Sequence, residues 1–168
     1  MLTVIEGIDG TGKTTVAANI AYNFNINYRH YPVDYKKYYS VVYNKDLAMA
    51  FDMVCNQVDP SLNWIIDRYL QSSWVYGMDI NLYNMLKMIV PKVDKNILLI
   101  CDPNVAYKRM MTRGLNNLDP DIDKLEGLQE EYMALPNWDL IVDTTSMKVT
   151  EVYNEVKLFT EISYNSVL

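Results

Sequence analysis

Three glycines, a lysine and three threonines stand in the order Gly7-Ile8-Asp9-Gly10-Thr11-Gly12-Lys13-Thr14-Thr15. The stretch fits the phosphate-binding pattern G-x-x-x-x-G-K-[ST] at every fixed position. The chemistry open to it is the holding of a nucleoside triphosphate. Successive backbone N–H groups of such a loop form an anion nest at a helix N-terminus. Lys13 then supplies a point charge for the β- and γ-phosphates, and the Thr14 hydroxyl is the expected Mg²⁺ ligand. Half of the chain's six glycines fall here, where the backbone must turn sharply and approach a phosphate closely. The competing reading is a plain glycine turn before a helix. The motif is silent on what accepts the phosphate.

Two further sets of residues could serve the same chemistry. Asp67-Arg68-Tyr69 follows the apolar run 63–66. Arg109 and Arg113 are four apart, which puts both on one face of a helix. The residues after them, 114–120, show no regular period and read as a mobile loop. Two arginines beside such a loop suit a lid that closes over phosphates; the plainer alternative is a solvated helix face.

These residues need elements to position them. Residues 2–5 are apolar and β-branched and predict a buried strand. Val16, Ile20 and Phe24, with Ala17 and Ala21, repeat at helical spacing after the loop. A second strand is expected over 26–31, stopped by Pro32, and 33–44 has no clear assignment. A helix over 47–58 would carry Leu47, Phe51, Val54 and Cys55 on one face, expected to pack into the core. The third strand, 63–66, ends at Asp67-Arg68, and ligands bind at that edge of open α/β sheets. Helices follow over 70–77 and 80–90, the second with Leu82, Met85, Leu86 and Ile89 inward. The run 96–101 is continuously apolar, as buried parallel strands are. Asp102 or Asn104 would cap a helix reaching 113. A helix over 123–135, a strand over 138–142 and a helix over 149–159 complete the chain. Strands alternate with helices, which predicts an α/β fold: a three-layer α/β/α sandwich on a five-stranded parallel sheet. One domain is expected over 1–168, with the lid at about 110–123.

Composition narrows the function further. Half of the 168 residues are apolar, which argues against disorder and allows a substantial core. No apolar run is long enough to cross a membrane, and the first residues read as a core strand rather than a signal peptide. Cys55 and Cys101 lack metal-type spacing and are expected as reduced core thiols of a cytoplasmic protein. A formal charge of −6 argues against nucleic-acid binding, so cations for a nucleotide must be concentrated locally. His30, the only histidine, is expected in a surface or packing role. Asn44-Lys45-Asp46 is a chance likeness to the guanine-reading N-K-x-D motif, without its spacer.

Together these residues resemble the thymidylate kinases, within the nucleoside monophosphate kinases, over most of the chain. Glu6 through Thr15 looks like the family's E-G-[IL]-D/E-x-x-G-K-[ST]-T opening. Asp67-Arg68-Tyr69-Leu70-Gln71-Ser72-Ser73-Trp74-Val75-Tyr76 is similar to its D-R-Y-x-x-S-S/N-x-A-Y segment. Asp102-Pro103 through Arg109 and Arg113 matches its D-P-x-x-A-x-x-R-x-x-x-R helix, and Asp123-Lys124-Leu125-Glu126 its D-R-x-E. The resemblance implies a P-loop kinase fold, ATP and Mg²⁺, and transfer of the γ-phosphoryl group to a deoxynucleoside 5′-monophosphate, dTMP above others. It implies that Gly7, Asp9, Gly10, Thr11, Gly12, Lys13, Thr14, Thr15 and Arg109 hold ATP, with Arg109 against the adenine. Asp9 would also bind the acceptor's 3′-hydroxyl, and Asp67 would sit near Mg²⁺ or the attacking phosphate oxygen. Arg68 would clamp the acceptor phosphate, Ser72 and Ser73 would contact the base, Phe51 would stack on it, and Tyr76 would pack against the deoxyribose. Arg113 would reach the phosphates from the lid.

The chain also departs from the family. Gly10 stands where some members place an arginine, which leaves that charge to Arg113 with Arg109 as helper. Cys55 stands where an arginine is usual, and His30-Tyr31-Pro32-Val33-Asp34 lacks both arginines of R-F-P-x-R. The acceptor pocket therefore has fewer cations than the family norm. A deoxynucleoside kinase acting on free nucleosides is one alternative, and a nucleotide-binding module without catalysis is another. Similar kinases often dimerise through helices, so the Met- and Tyr-rich helices are candidates for a homodimer surface.

Overall fold

The computed structural model describes residues 1–31, 45–114 and 121–164. In chain order the elements are β1 (Leu2–Glu6), α1 (Lys13–Phe24), β2 (Asn27–His30), α2 (Lys45–Cys55), β3 (Trp64–Asp67) and α3 (Leu70–Val75). Then come α4 (Ile80–Ile89), β4 (Lys95–Ile100), α5 (Pro103–Thr112), α6 (Ile122–Ala134), β5 (Leu140–Asp143) and α7 (Val149–Tyr164). The expected elements are all present, with ends shifted by a few residues. The unassigned segment 33–44 and the middle of the expected lid, 115–120, lie outside the described residues.

The five strands form one parallel sheet in the order β2-β3-β1-β4-β5. Successive side chains of a strand point to opposite faces, and both faces are covered. Ile5, Ile65, Ile97, Leu99 and Val142 meet Val16, Ala17 and Ile20 of α1 and Val152 and Val156 of α7. On the other face Val4 and Ile66 meet Ala48, Met49 and Met53 of α2 and Leu86 of α4. Leu98 meets Ala106 and Met110 of α5 and Leu125 and Tyr132 of α6. Each fully buried Leu, Ile or Val is worth about 1.5–3 kcal/mol, so these three clusters hold the layers together. The arrangement is the expected α/β/α sandwich.

Three expectations about faces are corrected. Leu47, Phe51 and Val54 stand exposed, and Ala48, Met49 and Met53 are the buried side of α2. Cys55 is exposed, whereas Cys101 is buried. In α4, Leu86 is buried but Met85 and Ile89 are exposed. An apolar stripe shows that a helix is amphipathic, but two adjacent stripes compete for the sheet in both helices, and packing decides between them.

The central strand β1 has β3 on one side and β4 on the other. The chain leaves β1 through the glycine loop at the point where the strand order turns, which opens a crevice at the carboxyl edge of the sheet. Glu6, His30 and Asp67 all end their strands at this edge, with Ile5 and His30 both in register with Asp67.

Candidate active site

The glycine loop takes a conformation that its glycines alone permit. Gly7, Gly10 and Gly12 have φ of 136°, 86° and 95°. A Cβ on Gly7 would lie 2.1 Å from the Leu99 carbonyl oxygen, and one on Gly10 would lie 2.5 Å from that of Ala106. The loop delivers the chain into α1 with no side chain capping it and no acidic residue in its first turn. The first N–H groups of a helix lack intrahelical partners and carry its positive dipole end. An anion is the natural partner here, and Thr14 and Thr15 stand exposed at this end.

Lys13 is buried and its Nζ donates to the Ile8 carbonyl at 2.6 Å, with Thr11 Oγ1 at 3.4 Å. Burial first, then the Arg68 charge, bring its ammonium down to about 8; Asp9, Asp67 and Glu6 work against that. An incoming polyphosphate would restore the charge.

Asp67 closes the other side of the loop. Its Oδ2 accepts from the Thr14 hydroxyl at 2.5 Å and lies 2.9 Å from His30 Nδ1. Its Oδ1 is buried and no hydrogen bond of ordinary length reaches it; burial, then the nearby Asp67 carboxylate, push the Tyr28 phenol up to about 12. Burial pushes the carboxyl up, but His30, Lys13 and Thr14 outweigh it and hold the group below its ordinary value. A buried carboxylate oxygen left without a donor calls for a cation or water. Thr14 donates to Asp67 and keeps its lone pairs free. Mg²⁺ takes one or two protein oxygens and completes its shell with phosphates and water, so this donor pair fits it. Among the described residues, no group of three or more His, Cys, Asp and Glu gathers into a metal cage.

Arg68 is buried at 3% exposure, and its Nη2 donates to Asp9 Oδ1 at 2.5 Å. Nη1 reaches Tyr132 Oη at 3.1 Å and Ser72 Oγ at 3.3 Å, and the guanidinium lies 5.2 Å over the Tyr76 ring. These partners keep it fully charged despite burial. Its φ is 68°, a left-handed conformation that costs a non-glycine residue about 1–2 kcal/mol. The Arg68 N–H donation to the Ile5 carbonyl, at 3.0 Å, helps to hold it there. Strain of this kind collects where geometry serves a function. Asp67 and Arg68 are thus no surface ion pair: each is committed to a different partner.

Below them lies a buried network. Glu6 Oε1 accepts the N–H groups of Tyr69 at 2.8 Å and Ser72 at 3.2 Å, and its Oε2 accepts the Ser72 hydroxyl. Burial pushes the Glu6 carboxyl up. Ser72 Oγ also lies 2.6 Å from Tyr132 Oη. Ser73, fully buried, faces the Tyr69 carbonyl and Met53 Sδ. Both serines, expected at the base, are thus engaged within the protein. Phe51 stands 53% exposed on the outward face of α2.

Arg109 leaves α5 toward the loop. Its Nη2 donates to the Thr144 carbonyl at 2.7 Å, and its Nη1 lies 3.2 Å from Thr144 Oγ1 and 3.4 Å from the Gly10 carbonyl. Asp102 rather than Asn104 caps α5, accepting from the N–H groups of Asn104 and Val105. A cavity of about 300 Å³ is lined by Gly10, Gly12, Arg109, Arg113, Thr144 and Lys148, among others. The structure therefore brings Gly10, Thr11, Gly12, Arg109 and Arg113 to one hollow. It brings Asp9, Lys13, Thr14, Asp67 and Arg68 to the adjoining edge.

Three participants were not expected from the sequence. Glu6 carried one signal: an acid ending a buried strand must have partners. Tyr132 carried none, being 64 residues from Arg68. His30, expected on the surface or in packing, is bonded to Asp67.

A phosphate-binding loop at the central strand, facing an acid and an arginine at the end of the neighbouring one, defines a P-loop kinase of the nucleotide-binding α/β class. The family model for thymidylate kinase matches residues 43–156. A protein named probable thymidylate kinase from Methanocaldococcus jannaschii is 30% identical over 179 residues, covering 93% of each chain. The chain belongs to the thymidylate kinase family, P-loop enzymes that phosphorylate nucleoside monophosphates. Solved structures agree on the fold. The YorR protein of Bacillus subtilis, in complex with phosphorylated GDP, superposes with TM-score 0.70 at 22% identity, over 98% of both chains. Thymidylate kinase from Candida albicans gives 0.69 at 17% identity, over 98% of this chain and 92% of its own. Deoxyadenosine kinase from M. mycoides with bound dATP gives 0.67 at 19% identity, over 96% of this chain and all of its own.

Proposed function

We propose that this chain transfers the γ-phosphoryl group of ATP to a deoxynucleoside 5′-monophosphate, dTMP above others. The carrying observation is the convergence of Lys13, Thr14, Asp67 and Arg68 at one sheet edge, with Arg68 held in a left-handed conformation beside the loop. Family membership with relatives named thymidylate kinase supports the base preference.

The loop amides and Lys13 hold the β- and γ-phosphates, with Thr15 beside them. The 300 Å³ hollow at Arg109 takes the adenosine end. Thr14 and Asp67 would hold Mg²⁺, and the ion would supply charge neutralisation for the phosphates. An oxygen of the acceptor phosphate attacks the γ-phosphorus, the bond to the β-phosphate oxygen breaks, and ADP leaves. A phosphate monoester has its second pKa near ~6, so the attacking oxygen is already anionic and needs no general base. Arg68 exchanges part of its contact with Asp9 for the acceptor phosphate, in a paired geometry that lysine cannot offer. Asp9 then receives the 3′-hydroxyl. The exposed Phe51 ring is available to stack on a base, Tyr76 lies against the sugar, and Ser72 and Ser73 shape the wall behind it. Arg113 brings the last charge from the lid, and residues 1–168 act as one kinase domain. No helix among the described residues is long and apolar enough to cross a membrane. A cytoplasmic enzyme, with a homodimer through its exposed helix faces, fits this reading.

The test is Mg-ATP-dependent ADP release against dTMP, dUMP, dGMP, dAMP and dCMP, with ribonucleotides and free deoxynucleosides alongside. Turnover of dTMP, or of another deoxynucleoside monophosphate, is expected. Turnover of free deoxynucleosides alone would make the protein a deoxynucleoside kinase. ATP binding without any turnover would make it a binding module.

A further inference from the structure

His30 ends β2 opposite Asp67 of β3. Its Nδ1 lies 2.9 Å from Asp67 Oδ2, the same oxygen that accepts the Thr14 hydroxyl. Oδ2 already receives the Thr14 hydroxyl, and a carboxylate oxygen is an acceptor. His30 Nδ1 is therefore the protonated nitrogen. Two donors on one oxygen fix the carboxylate plane and leave Oδ1 buried with no hydrogen bond of ordinary length. The imidazole itself is 39% exposed. Its described polar contact is with Asp67.

We propose that His30 is a positioning residue of the phosphoryl-transfer site, locking Asp67 through Nδ1–H so that Oδ1 is the oxygen left for the divalent cation. This rests on the functional reading above. The physical warrant is that a ligating carboxylate must be oriented by partners of its own, whose loss typically costs 10–100-fold in metal affinity or activity. Thr14 gives Asp67 one donor, from the loop side. His30 gives the other, from the next strand, in a register set by the sheet.

The test compares His30→Ala, His30→Asn and His30→Gln in the full chain. Asparagine places an amide N–H close to where Nδ1 stands, whereas glutamine reaches toward the Nε2 position. Mn²⁺ affinity is measured by electron paramagnetic resonance with a non-hydrolysable ATP analogue, and kcat and KM are measured with dTMP. His30→Ala should weaken Mn²⁺ binding by about tenfold or more and lower kcat by a similar factor, with the KM for dTMP changed by less than about threefold. His30→Asn should restore both, and His30→Gln neither. In the wild type, ¹⁵N NMR of the single imidazole should show Nδ1 protonated. Unchanged Mn²⁺ affinity in His30→Ala overturns the proposal, as does His30→Asn failing as badly as His30→Ala. Should the alanine variant not fold, the Asn–Gln pair decides alone. A wild type that turns over no nucleotide defeats the kinase reading, while the Mn²⁺ and NMR comparison still reads His30 directly.

Discussion

Arg68 Nη2 donates to Asp9 Oδ1 at 2.5 Å, which ties the end of the third strand to the glycine loop across 59 residues of chain. The same guanidinium reaches Tyr132 Oη of α6 and Ser72 Oγ of α3. One buried cation thus links the loop, the strand edge and the helix that follows the lid. Its planar fork satisfies three partners at fixed angles, which a single ammonium cannot do.

Arg68→Lys should therefore fail on both stability and turnover. The lysine keeps the charge but loses at least one of the contacts to Asp9, Tyr132 and Ser72. A drop of about 2 kcal/mol in unfolding free energy is expected, with kcat/KM for the monophosphate down about 100-fold. Denaturant melts and steady-state kinetics check it. A lysine variant with wild-type kcat/KM would remove Arg68 from the acceptor site.

Glu6 is buried with three hydrogen bonds to the start of α3. Glu6→Ala strands the N–H groups of Tyr69 and Ser72, each unsatisfied group costing about 1–3 kcal/mol. A loss of about 3 kcal/mol or more is expected in chemical denaturation, with Glu6→Gln losing less. Because burial raises the Glu6 carboxyl above its usual 4.5, the folded chain binds this proton at a higher pH than the unfolded one. Its contribution to stability therefore increases as pH falls into the window just above 4.5.

Lys13 titrates at about 8 in the folded protein, against 10.5 ordinarily. Between those values the unfolded chain holds the proton and the folded chain does not, so this residue's contribution to stability rises with pH across that window. Nucleotide binding has the opposite sign, because the triphosphate needs the ammonium. ATP affinity should be flat below pH 8 and fall above it, approaching about tenfold per pH unit. Isothermal titration calorimetry from pH 6.5 to 9.5 reads this, and a flat profile would mean that Lys13 stays charged throughout.

Position 10 is closed to an arginine. Its φ is 86°, and a Cβ there would meet the Ala106 carbonyl at 2.5 Å. Gly10→Arg should lower the thermal midpoint and raise no rate. That leaves Arg113, exposed beside the same hollow. Arg113→Ala should lower kcat about 10–100-fold while the ATP KM changes less than about threefold, the pattern of a charge used in the transition state. A larger effect on ATP KM than on kcat would place Arg113 in ground-state binding instead.

The sequence alone determined the glycine loop, because its chemistry is local: three glycines, a lysine and a threonine at fixed spacing can fold only against the helix they begin. It also determined the alternation of strands and helices, and the place of Asp67 and Arg68 at a strand end, through the period of the apolar residues. Only the tertiary structure decided what those residues touch. Whether Leu47, Phe51 and Val54 or Ala48, Met49 and Met53 of α2 face the sheet depends on packing between elements. Whether His30 meets Asp67 depends on β2 lying beside β3 in one register, across 37 residues of chain. Tyr132 reaches Arg68 only because α6 packs back against α3. Spacing along a chain specifies contacts within a turn or a loop; contacts between strands and layers are selected by how their buried surfaces fit.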